Sequence, residues 1–511
     1  MDLAMLMKDV PVQRWIGARS GHVASVCYDS RTCRQDSLFV AVPGLLADGH
    51  AYIPEAIRNG ACVIVHEQLL PATPDVRWIQ VGDSRRTLGL LARNFYQHPS
   101  SRLCLVGVVG TNGKTTVTYL LESILLAAGR EVGVLGTVNY RFKQKVMATS
   151  HTTPESLDMQ SILREMADDG VSHVVTEISS HAVDLRRVDE CDFDLGVFTN
   201  LSRDHLDYHK TMEDYFAAKK RFFQEVLPAS KKNSSCRMAV NGDDPWGRRL
   251  LQDVRLPHLT FGIDTPCDLS AREIQLTLQG IRAELVWAGR RFKIASPLIG
   301  RYNLYNILAA AAAALSLGIT PERIQSGIEH LGQVPGRMEK VSGPDQPAVF
   351  VDYAHTDDAL RRVLQNLAAF KQGRLITLFG CGGDRDRGKR PLMAQAAAEL
   401  SDLVIITSDN PRTEDPLEII RQIEAGLADT TMTKVLPEAL KAGDCDRCYA
   451  VIPDRGAAIE TAIDCAGPSD LVVIAGKGHE DYQILGNRRI SFDDRLHAKA
   501  ALTKRFEQRN P

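Results

Sequence analysis

Residues 103–129, LCLVGVVGTNGKTTVTYLLESILLAAG, contain the pattern that decides the fold of the central part of the chain. An apolar run ends at a glycine-containing loop, and a lysine and two threonines then open a segment whose apolar residues between 117 and 125 fall on one helical stripe. Gly129 follows as a C-terminal stop signal. The stretch predicts a strand, a phosphate-binding loop and a helix, in that order.

The loop itself has the residue types that bind a nucleotide. Backbone N–H groups at a helix N-terminus favour anionic oxygens, a lysine reaches the β- and γ-phosphates, and a threonine hydroxyl can hold Mg²⁺. One departure is Val108, which stands where the first glycine of the GxxxxGK[ST] pattern would fall, although Gly107 keeps a turn glycine nearby. The predicted ATP-binding residues are Gly110, Thr111, Asn112, Gly113, Lys114, Thr115 and Thr116. Because such a loop serves ligases, kinases, motors and switches alike, the remaining sequence must decide the function.

Composition sets the class of protein. The chain has 511 residues, 24% of them charged and 44% hydrophobic, with a formal net charge of −2. This length predicts about three domains, and the charge balance gives no basic face for nucleic acid. We find neither a signal-peptide pattern nor a run of ~20 apolar residues, so we expect a cytoplasmic protein that does not contact a membrane.

The eleven cysteines are scattered, mostly singly within apolar strands. Cys445 and Cys448 form one C-x-x-C pair, but no second pair stands at zinc-ribbon spacing. A metal or redox site is the alternative at this pair; we expect reduced, structural cysteines.

Apolar strands alternate with amphipathic helices along the whole chain, which predicts parallel α/β architecture. Turn signals at HPSS (98–101) and QVPGRM (333–338) divide it into units of 1–98, 99–336 and 337–511.

Polar side chains follow the predicted strands of the central unit. Glu177 stands at a strand tip, where a carboxylate can meet Mg²⁺, and LSRDHLDYH (201–209) presents two aspartates and two histidines. Such clusters also serve as ordinary loop hydrogen bonders. The run Lys219–Arg221 is equally compatible with a solvated helix face.

Three strands of the last unit end in charged loops. RLITLF (374–379) precedes GCGGDRDRGKRP, DLVIIT (402–407) precedes SDNPRTEDP, and DLVVIA (470–475) precedes GKGHEDYQ. Ligands of parallel sheets bind outside the carboxyl ends of strands, so these loops are expected on one rim. Arginine grips carboxylates through two hydrogen bonds and Glu480 suits an ammonium. The rim predicts an amino acid with more than one carboxylate, while Glu414 and Asp415 are expected to be solvated or to start a helix.

Longer motifs occur in an order that resembles the Mur ligase family. They are GTNGKTT, TEISSH, FTNLSRDHLDYH, AAKK, NGDD, GRYNLYN, PGRMEK and VDYAHT, and the similarity extends from YDSR at 28–31 to GHEDYQ at 478–483. The resemblance implies an α/β fold of three domains: a UDP-binding domain, a central ATPase domain with a parallel sheet, and a Rossmann-like C-terminal domain that binds an amino acid. It also implies ATP-dependent amide formation through an acyl phosphate, with ATP and Mg²⁺ as cofactors. The enzyme is expected to be a monomer.

The resemblance further implies roles for individual residues. The catalytic set is Lys114, Glu177, His205, Lys219 (as a carbamate) and Arg337. The metal set is Thr115, Glu177, His205 and Lys219. Further ATP contacts are Asn303, Asn306 and Asp352.

The family's other substrates are small molecules as well. Contacts to UDP-MurNAc-L-Ala-D-Glu are expected from Ser30, Arg31, Thr152, Thr153, Ser179 and Arg187. Within the family, DNPR at 409–412 marks members that add meso-diaminopimelate, with contacts expected from Arg390, Asp409, Asn410, Pro411, Arg412, Gly476 and Glu480. Three alternatives stay open: the same reaction with L-lysine, a folate polyglutamylating ligase, and a P-loop switch or scaffold that hydrolyses ATP without joining substrates.

Overall fold

A computed structural model of the chain describes residues 1–44, 47–68, 73, 75–149, 151–232, 236–441 and 446–506. Its strands form three main sheets and one hairpin. None of the helices in these ranges has the length and apolar content that a membrane span requires.

The first sheet has five strands in the order β1-β5-β4-β3-β2, all parallel except for the β1–β5 pair. Its strands are β1 (Val12–Ile16), β2 (Ser25–Cys27), β3 (Ser37–Val40), β4 (Ala61–His66) and β5 (Arg77–Val81). The helices of this region are α1 (Leu3–Leu6), α2 (Ile53–Arg58) and α3 (Ser84–Phe95).

The second sheet has eleven strands in the order β16-β15-β14-β13-β12-β11-β6-β10-β7-β8-β9. Strands β6, β7 and β10 to β13 are parallel, whereas β8 and β9 pair antiparallel at one edge. The strands are β6 (Cys104–Val109), β7 (Val132–Leu135), β8 (Tyr140–Phe142), β9 (Lys145–Met147), β10 (His173–Ile178), β11 (Leu195–Phe198), β12 (Arg237–Asn241), β13 (His258–Gly262), β14 (Leu269–Thr277), β15 (Gly280–Trp287) and β16 (Arg290–Ser296). The helices are α4 (Lys114–Ala127), α5 (Ser156–Asp168), α6 (Ser180–Asp184), α7 (Leu206–His209), α8 (Met212–Arg221), α9 (Pro245–Asp253), α10 (Arg301–Ser316) and α11 (Pro321–His330).

The third sheet has seven strands in the order β17-β18-β23-β19-β20-β22-β21, parallel apart from the edge pair β17–β18. The strands are β17 (Glu339–Lys340), β18 (Ala348–Asp352), β19 (Leu375–Phe379), β20 (Leu403–Ile406), β21 (Thr433–Lys434), β22 (Cys448–Val451) and β23 (Leu471–Ala475), followed by the hairpin β24 (Tyr482–Leu485) and β25 (Arg488–Ser491). The helices are α12 (Asp357–Ala368), α13 (Lys389–Leu400), α14 (Pro416–Glu424), α15 (Pro437–Lys441), α16 (Arg455–Cys465) and α17 (Asp494–Phe506).

The predicted strand, loop and helix at 103–129 are confirmed as β6, a loop and α4. The apolar stripe of α4 is fully buried, and Gly129 follows its end with a φ of +72°. The alanine run of α10 is at most 1% exposed from Ala309 to Ala314. Small side chains let α10 and α4 share one core with the sheet, which places the loop between β6 and α4 beside the start of α10.

Two expectations fail at particular residues. Cys448 is disulfide-bonded rather than reduced, and Cys445 lies outside the described residues. Glu414 is not solvated, because its carboxylate pairs with the buried Arg390 guanidinium at 2.9 Å. Asp415 does start a helix, since its side chain accepts from the Leu417 amide as the N-cap of α14.

Candidate active site

The phosphate-binding loop is anchored to the strand tip beside it. The Thr111 and Asn112 amides donate to Asn200, 2.9 Å to its backbone oxygen and 2.9 Å to its side-chain oxygen respectively. Thr199 Oγ1 donates to the Asn112 carbonyl at 2.7 Å. Because β11 lies next to β6, the loop after β11 holds the loop after β6 in shape.

Glu177 lies at the tip of β10, as expected, and is only 1% exposed. Its carboxylate accepts three hydrogen bonds, from the Thr137 amide at 2.9 Å, the Thr137 hydroxyl at 3.0 Å and the Thr115 hydroxyl at 3.2 Å. Arg337 Nη2 in turn donates to Thr115 Oγ1 at 3.1 Å, with its guanidinium over the Tyr353 ring. This chain of contacts connects the segment after α11 with the phosphate-binding loop.

Two lysines lie against the same loop. Lys114 Nζ donates to the Gly110 and Thr111 carbonyls, both at 2.9 Å. Lys219 Nζ donates to Gly110 O at 2.9 Å from the other side and lies 4.6 Å from the Tyr215 ring centre. Lys219 is 1% exposed, so it is not part of a solvated helix face. Burial and the neighbouring Lys114 ammonium lower the pKa of Lys219 well below its usual range.

A cavity of about 480 Å³ opens above this loop. Of the residues predicted from sequence, the cavity is lined by Thr111 to Thr116, Thr152, Glu177, Ser179, His205, Asn306, Arg337 and Asp352. Asn303 lies just behind it, where its side-chain oxygen accepts from Asn306 Nδ2 at 2.9 Å. Asp352 is held by the Met338 and Ala354 amides at 2.7 and 2.8 Å.

A second cavity, of about 1030 Å³, shares walls with the first, including Thr137, Thr152 and His205. Its other side is the rim of the third sheet, where β23, β19 and β20 are neighbours, so their tips meet as predicted. Of the predicted residues, Asp409, Asn410, Arg412, Gly476 and Glu480 line it.

Arg412 and Glu480 present opposite charges to this second cavity. Arg412 has a φ of +53°, and its backbone pairs with the β24–β25 hairpin through Ile484 O and the Gly486 amide. Its Nη1 donates to Gly383 O at 2.7 Å, and no carboxylate of the described residues pairs with it. A guanidinium held by backbone contacts in this way keeps donors for a ligand carboxylate.

Several predicted residues lie away from both cavities. Arg390 is 0% exposed, and its guanidinium is occupied by Glu414, Gln422 and the Gly382 carbonyl. In this position Arg390 fixes the rim loops, and its direct contact with the amino acid stays a prediction. Pro411 is buried next to Arg412.

Several of the residues expected to contact the nucleotide sugar form hydrogen bonds or ion pairs with other residues of the protein. Ser30 Oγ donates to Glu55 at 2.7 Å, and Arg31, 80% exposed, pairs with Asp29. Thr153 is fully buried and donates to Glu177 O at 2.8 Å. Arg187 donates to Thr153 O at 3.1 Å. Neither Ser30 nor Arg31 lines the two cavities.

Three family models match the sequence: "Mur ligase family, catalytic domain" over residues 22–96, "Mur ligase middle domain" over 108–314, and "Mur ligase, glutamate ligase domain" over 336–478. A UDP-N-acetylmuramoyl-L-alanyl-D-glutamate–2,6-diaminopimelate ligase of Geobacter metallireducens is 45% identical over 485 residues, which cover 95% of each chain. The chain belongs to the Mur ligase family.

Solved structures agree with this membership. A structure of a UDP-N-acetylmuramoyl-L-alanyl-D-glutamate–2,6-diaminopimelate ligase superposes on this Mur ligase with a TM-score of 0.68, 30% identity and full coverage of both chains. The MurF ligase from Thermotoga maritima, in complex with ADP, gives a TM-score of 0.64 at 20% identity over 95% of this chain and 98% of its own, which shows the fold alone.

Sequence reasoning missed several residues at the site of this Mur ligase. Asn200 and Thr199, which hold the phosphate-binding loop, belong to the quoted FTN motif, and their position after a strand next to β6 was the available signal. Tyr305 lines the first cavity and donates to Asp243 Oδ2 at 2.8 Å. Burial alone would raise the pKa of Asp243, but the amides and hydroxyls around it lower that pKa to about 2.

Two glycines at opposite ends of α4 make a matched pair for testing the loop geometry. Gly113 has a φ of +86°, and a Cβ there would meet Asn306 Oδ1 at 2.2 Å. Gly129 has a φ of +72°, and a Cβ there would meet nothing within 4 Å. We expect Gly113→Ala to displace Asn306 and the loop, and to lower kcat/KM for ATP about a hundredfold. Gly129→Ala carries only the backbone strain of ~1 kcal/mol and is expected to keep wild-type kcat/KM; equal losses in steady-state assays of both variants would contradict the assignment.

Proposed function

We propose that this chain joins meso-2,6-diaminopimelate to UDP-N-acetylmuramoyl-L-alanyl-D-glutamate in an ATP-dependent amide ligation. The observation that carries the proposal is the second cavity, where the Arg412 guanidinium has no carboxylate partner among the residues that the structure describes and Glu480 supplies a negative charge. The names of the similar ligases support the same substrates, and the ADP complex of the Thermotoga maritima MurF supports ATP as the nucleotide.

The two adjoining cavities suit a reaction in two steps. In the first, an oxygen of the substrate carboxylate bonds to the γ-phosphorus of ATP while the bond to ADP breaks, giving an acyl phosphate. In the second, the amine of the incoming amino acid bonds to the acyl carbon, loses a proton, and phosphate leaves. Walls shared through Thr137, Thr152 and His205 allow the nucleotide and the amino acid to approach one carbonyl carbon. The protein's part is positioning and charge stabilisation.

The side chains around the phosphate-binding loop fit Mg²⁺ in part. Glu177 offers a carboxylate that three donors already orient, and the Thr115 hydroxyl lies 3.2 Å from it. No three His, Cys, Asp or Glu side chains of the described ranges converge on one point. Mg²⁺ commonly takes one or two protein oxygens and fills its shell with phosphate and water oxygens, so Glu177, Thr115 and His205 would hold it. When bound, it would screen the repulsion between triphosphate and carboxylate.

We also propose that Lys219 carries a carbamate. A buried cation beside Lys114 is costly, and the lowered pKa favours the neutral amine. A neutral amine adds to CO₂ through a new N–C bond and releases one proton, which replaces a potential positive charge by a negative one. That anion would offset Lys114 and Arg337 near the phosphates.

The remaining roles follow the same scheme. We place the nucleotide sugar along Thr152, Ser179 and the first domain, where Ser30 and Arg31 stay candidate contacts. A monomer in the cytoplasm, with three domains at 1–98, 99–336 and 337–511, is the proposed form of the enzyme.

An omission assay tests the ligase against a P-loop switch or scaffold. We expect ADP release to need both the UDP-linked dipeptide and the amino acid, because the acyl phosphate forms only on the first and is consumed only by the second. ADP release is followed with a coupled assay, and the joined product by mass spectrometry. ATP hydrolysis at the full rate with either substrate left out would favour the scaffold.

A further inference from the structure

The loop after β23 contains a buried lysine that the reaction scheme does not use. Lys477 is 0% exposed, and its Nζ lies 3.0 Å from Glu480 Oε2 and 3.2 Å from Asn410 Oδ1. Its ammonium also lies 5.3 Å from the Tyr482 ring centre. A cation without solvent contact is costly unless it is paired and hydrogen-bonded. Glu480 supplies the ion pair for Lys477, and Asn410 supplies a further hydrogen-bond acceptor.

The hydrogen bonds give Glu480 two different oxygens. Oε2 accepts from Lys477 and also from Asn410 Nδ2 at 2.9 Å. Among the described residues no donor is placed on Oε1, while the Glu480 side chain is 17% exposed and lines the second cavity. One oxygen is therefore occupied by protein donors, and the other has none among the described residues, although the side chain lines the cavity.

Asn410 is fixed by the same lysine. Its Oδ1 accepts from Lys477 Nζ and from the Ile484 amide at 3.0 Å, so both neighbours of that atom are donors. This identifies the oxygen end of the amide and leaves Nδ2 facing Glu480. Lys477 thus sets the direction of Asn410 and, directly and through it, the rotamer of Glu480.

We propose that Lys477 is a positioning residue for amino-acid selection: it holds the Glu480 side chain turned so that Oε1 meets the ammonium of the incoming amino acid. The inference rests on the proposed function, in which the second cavity takes an amino acid. Lys477 itself does not touch the substrate in this scheme. Its expected signature is a change in amino-acid binding alone.

Lys477→Met tests this with little change of shape, because methionine fits a buried site and has no charge. We expect the KM for meso-diaminopimelate to rise about tenfold, the size of one lost charge-assisted contact, with kcat and the KM values of ATP and the UDP-linked dipeptide within about twofold of wild type. Lys371→Met is the matched control, since Lys371 pairs with Asp402 at 2.9 Å at the opposite ends of the strands. It is expected to change none of these constants.

The double variant separates positioning from general loss of structure, and it keeps the test usable if Lys477→Met does not fold. Once Glu480→Gln has removed the carboxylate, Lys477→Met should have no further effect, so Glu480→Gln and Lys477→Met/Glu480→Gln are expected to share one KM. Additive effects, or equal rises in all three KM values, would overturn the proposal. If wild-type enzyme accepts a different amino acid, the proposed substrate is wrong, and the same comparison on the accepted amino acid still decides the role of Lys477.

Discussion

Replacing Lys219 by alanine is expected to lower kcat by about 10³-fold, the scale of losing one preorganised charge at a phosphoryl-transfer site. The side chain is buried and reaches Gly110 of the phosphate-binding loop, where a carbamate would place an anion. The measurement is ADP release under saturating substrates. Short carboxylic acids such as acetate or propionate are expected to restore part of the activity, because they can place a carboxylate in the space left by the side chain.

Lys220→Ala is the control for this prediction. Lys220 is the next residue of α8, but its Nζ pairs with Asp253 at 2.8 Å on the protein surface. Surface pairs of this kind contribute ~0–1 kcal/mol, so activity should be unchanged. Full activity of Lys219→Ala would eliminate the carbamate, and a loss that no carboxylic acid relieves would leave the lysine with a packing role only.

Replacing Arg412 by alanine is expected to raise the KM for meso-diaminopimelate about a hundredfold with kcat less affected. A bidentate arginine–carboxylate contact comprises two hydrogen bonds to charged groups, each worth ~1.5 kcal/mol or more. Arg412→Lys keeps the charge but not the planar fork, so its KM should lie between those of wild type and the alanine variant. Steady-state kinetics with the amino acid varied gives both constants.

The matched control is Arg421→Ala, an arginine of α14 that is 66% exposed and pairs with Glu418. It is expected to bind meso-diaminopimelate as wild type does. An unchanged KM in Arg412→Ala would remove this guanidinium from the amino-acid site.

Local patterns predicted those parts of the fold that local chemistry determines. The strand, loop and helix at 103–129 followed from apolar spacing and glycine positions, and the meeting of three charged loops followed from the geometry of parallel strands. Both depend on residues close together in sequence or on a general property of sheets.

Pairings between distant residues were not predictable in the same way. Glu414 looked solvated because its partner, Arg390, lies 24 residues away in α13, and Lys219 looked like part of a surface because two more basic residues follow it. The β24–β25 hairpin, which holds Arg412 in place, was not foreseen. Its strands are short, and their pairing with the loop after β20 arises only in the folded domain.

The identity of the added amino acid is tested most directly by ADP release with a panel of amino acids, at fixed ATP and UDP-N-acetylmuramoyl-L-alanyl-D-glutamate. L-Lysine is the informative comparison, because it has the two amines of meso-diaminopimelate but not the distal carboxylate that we propose Arg412 binds. We predict a kcat/KM for meso-diaminopimelate at least about a hundredfold above that for L-lysine. Equal values for the two amino acids would contradict the account.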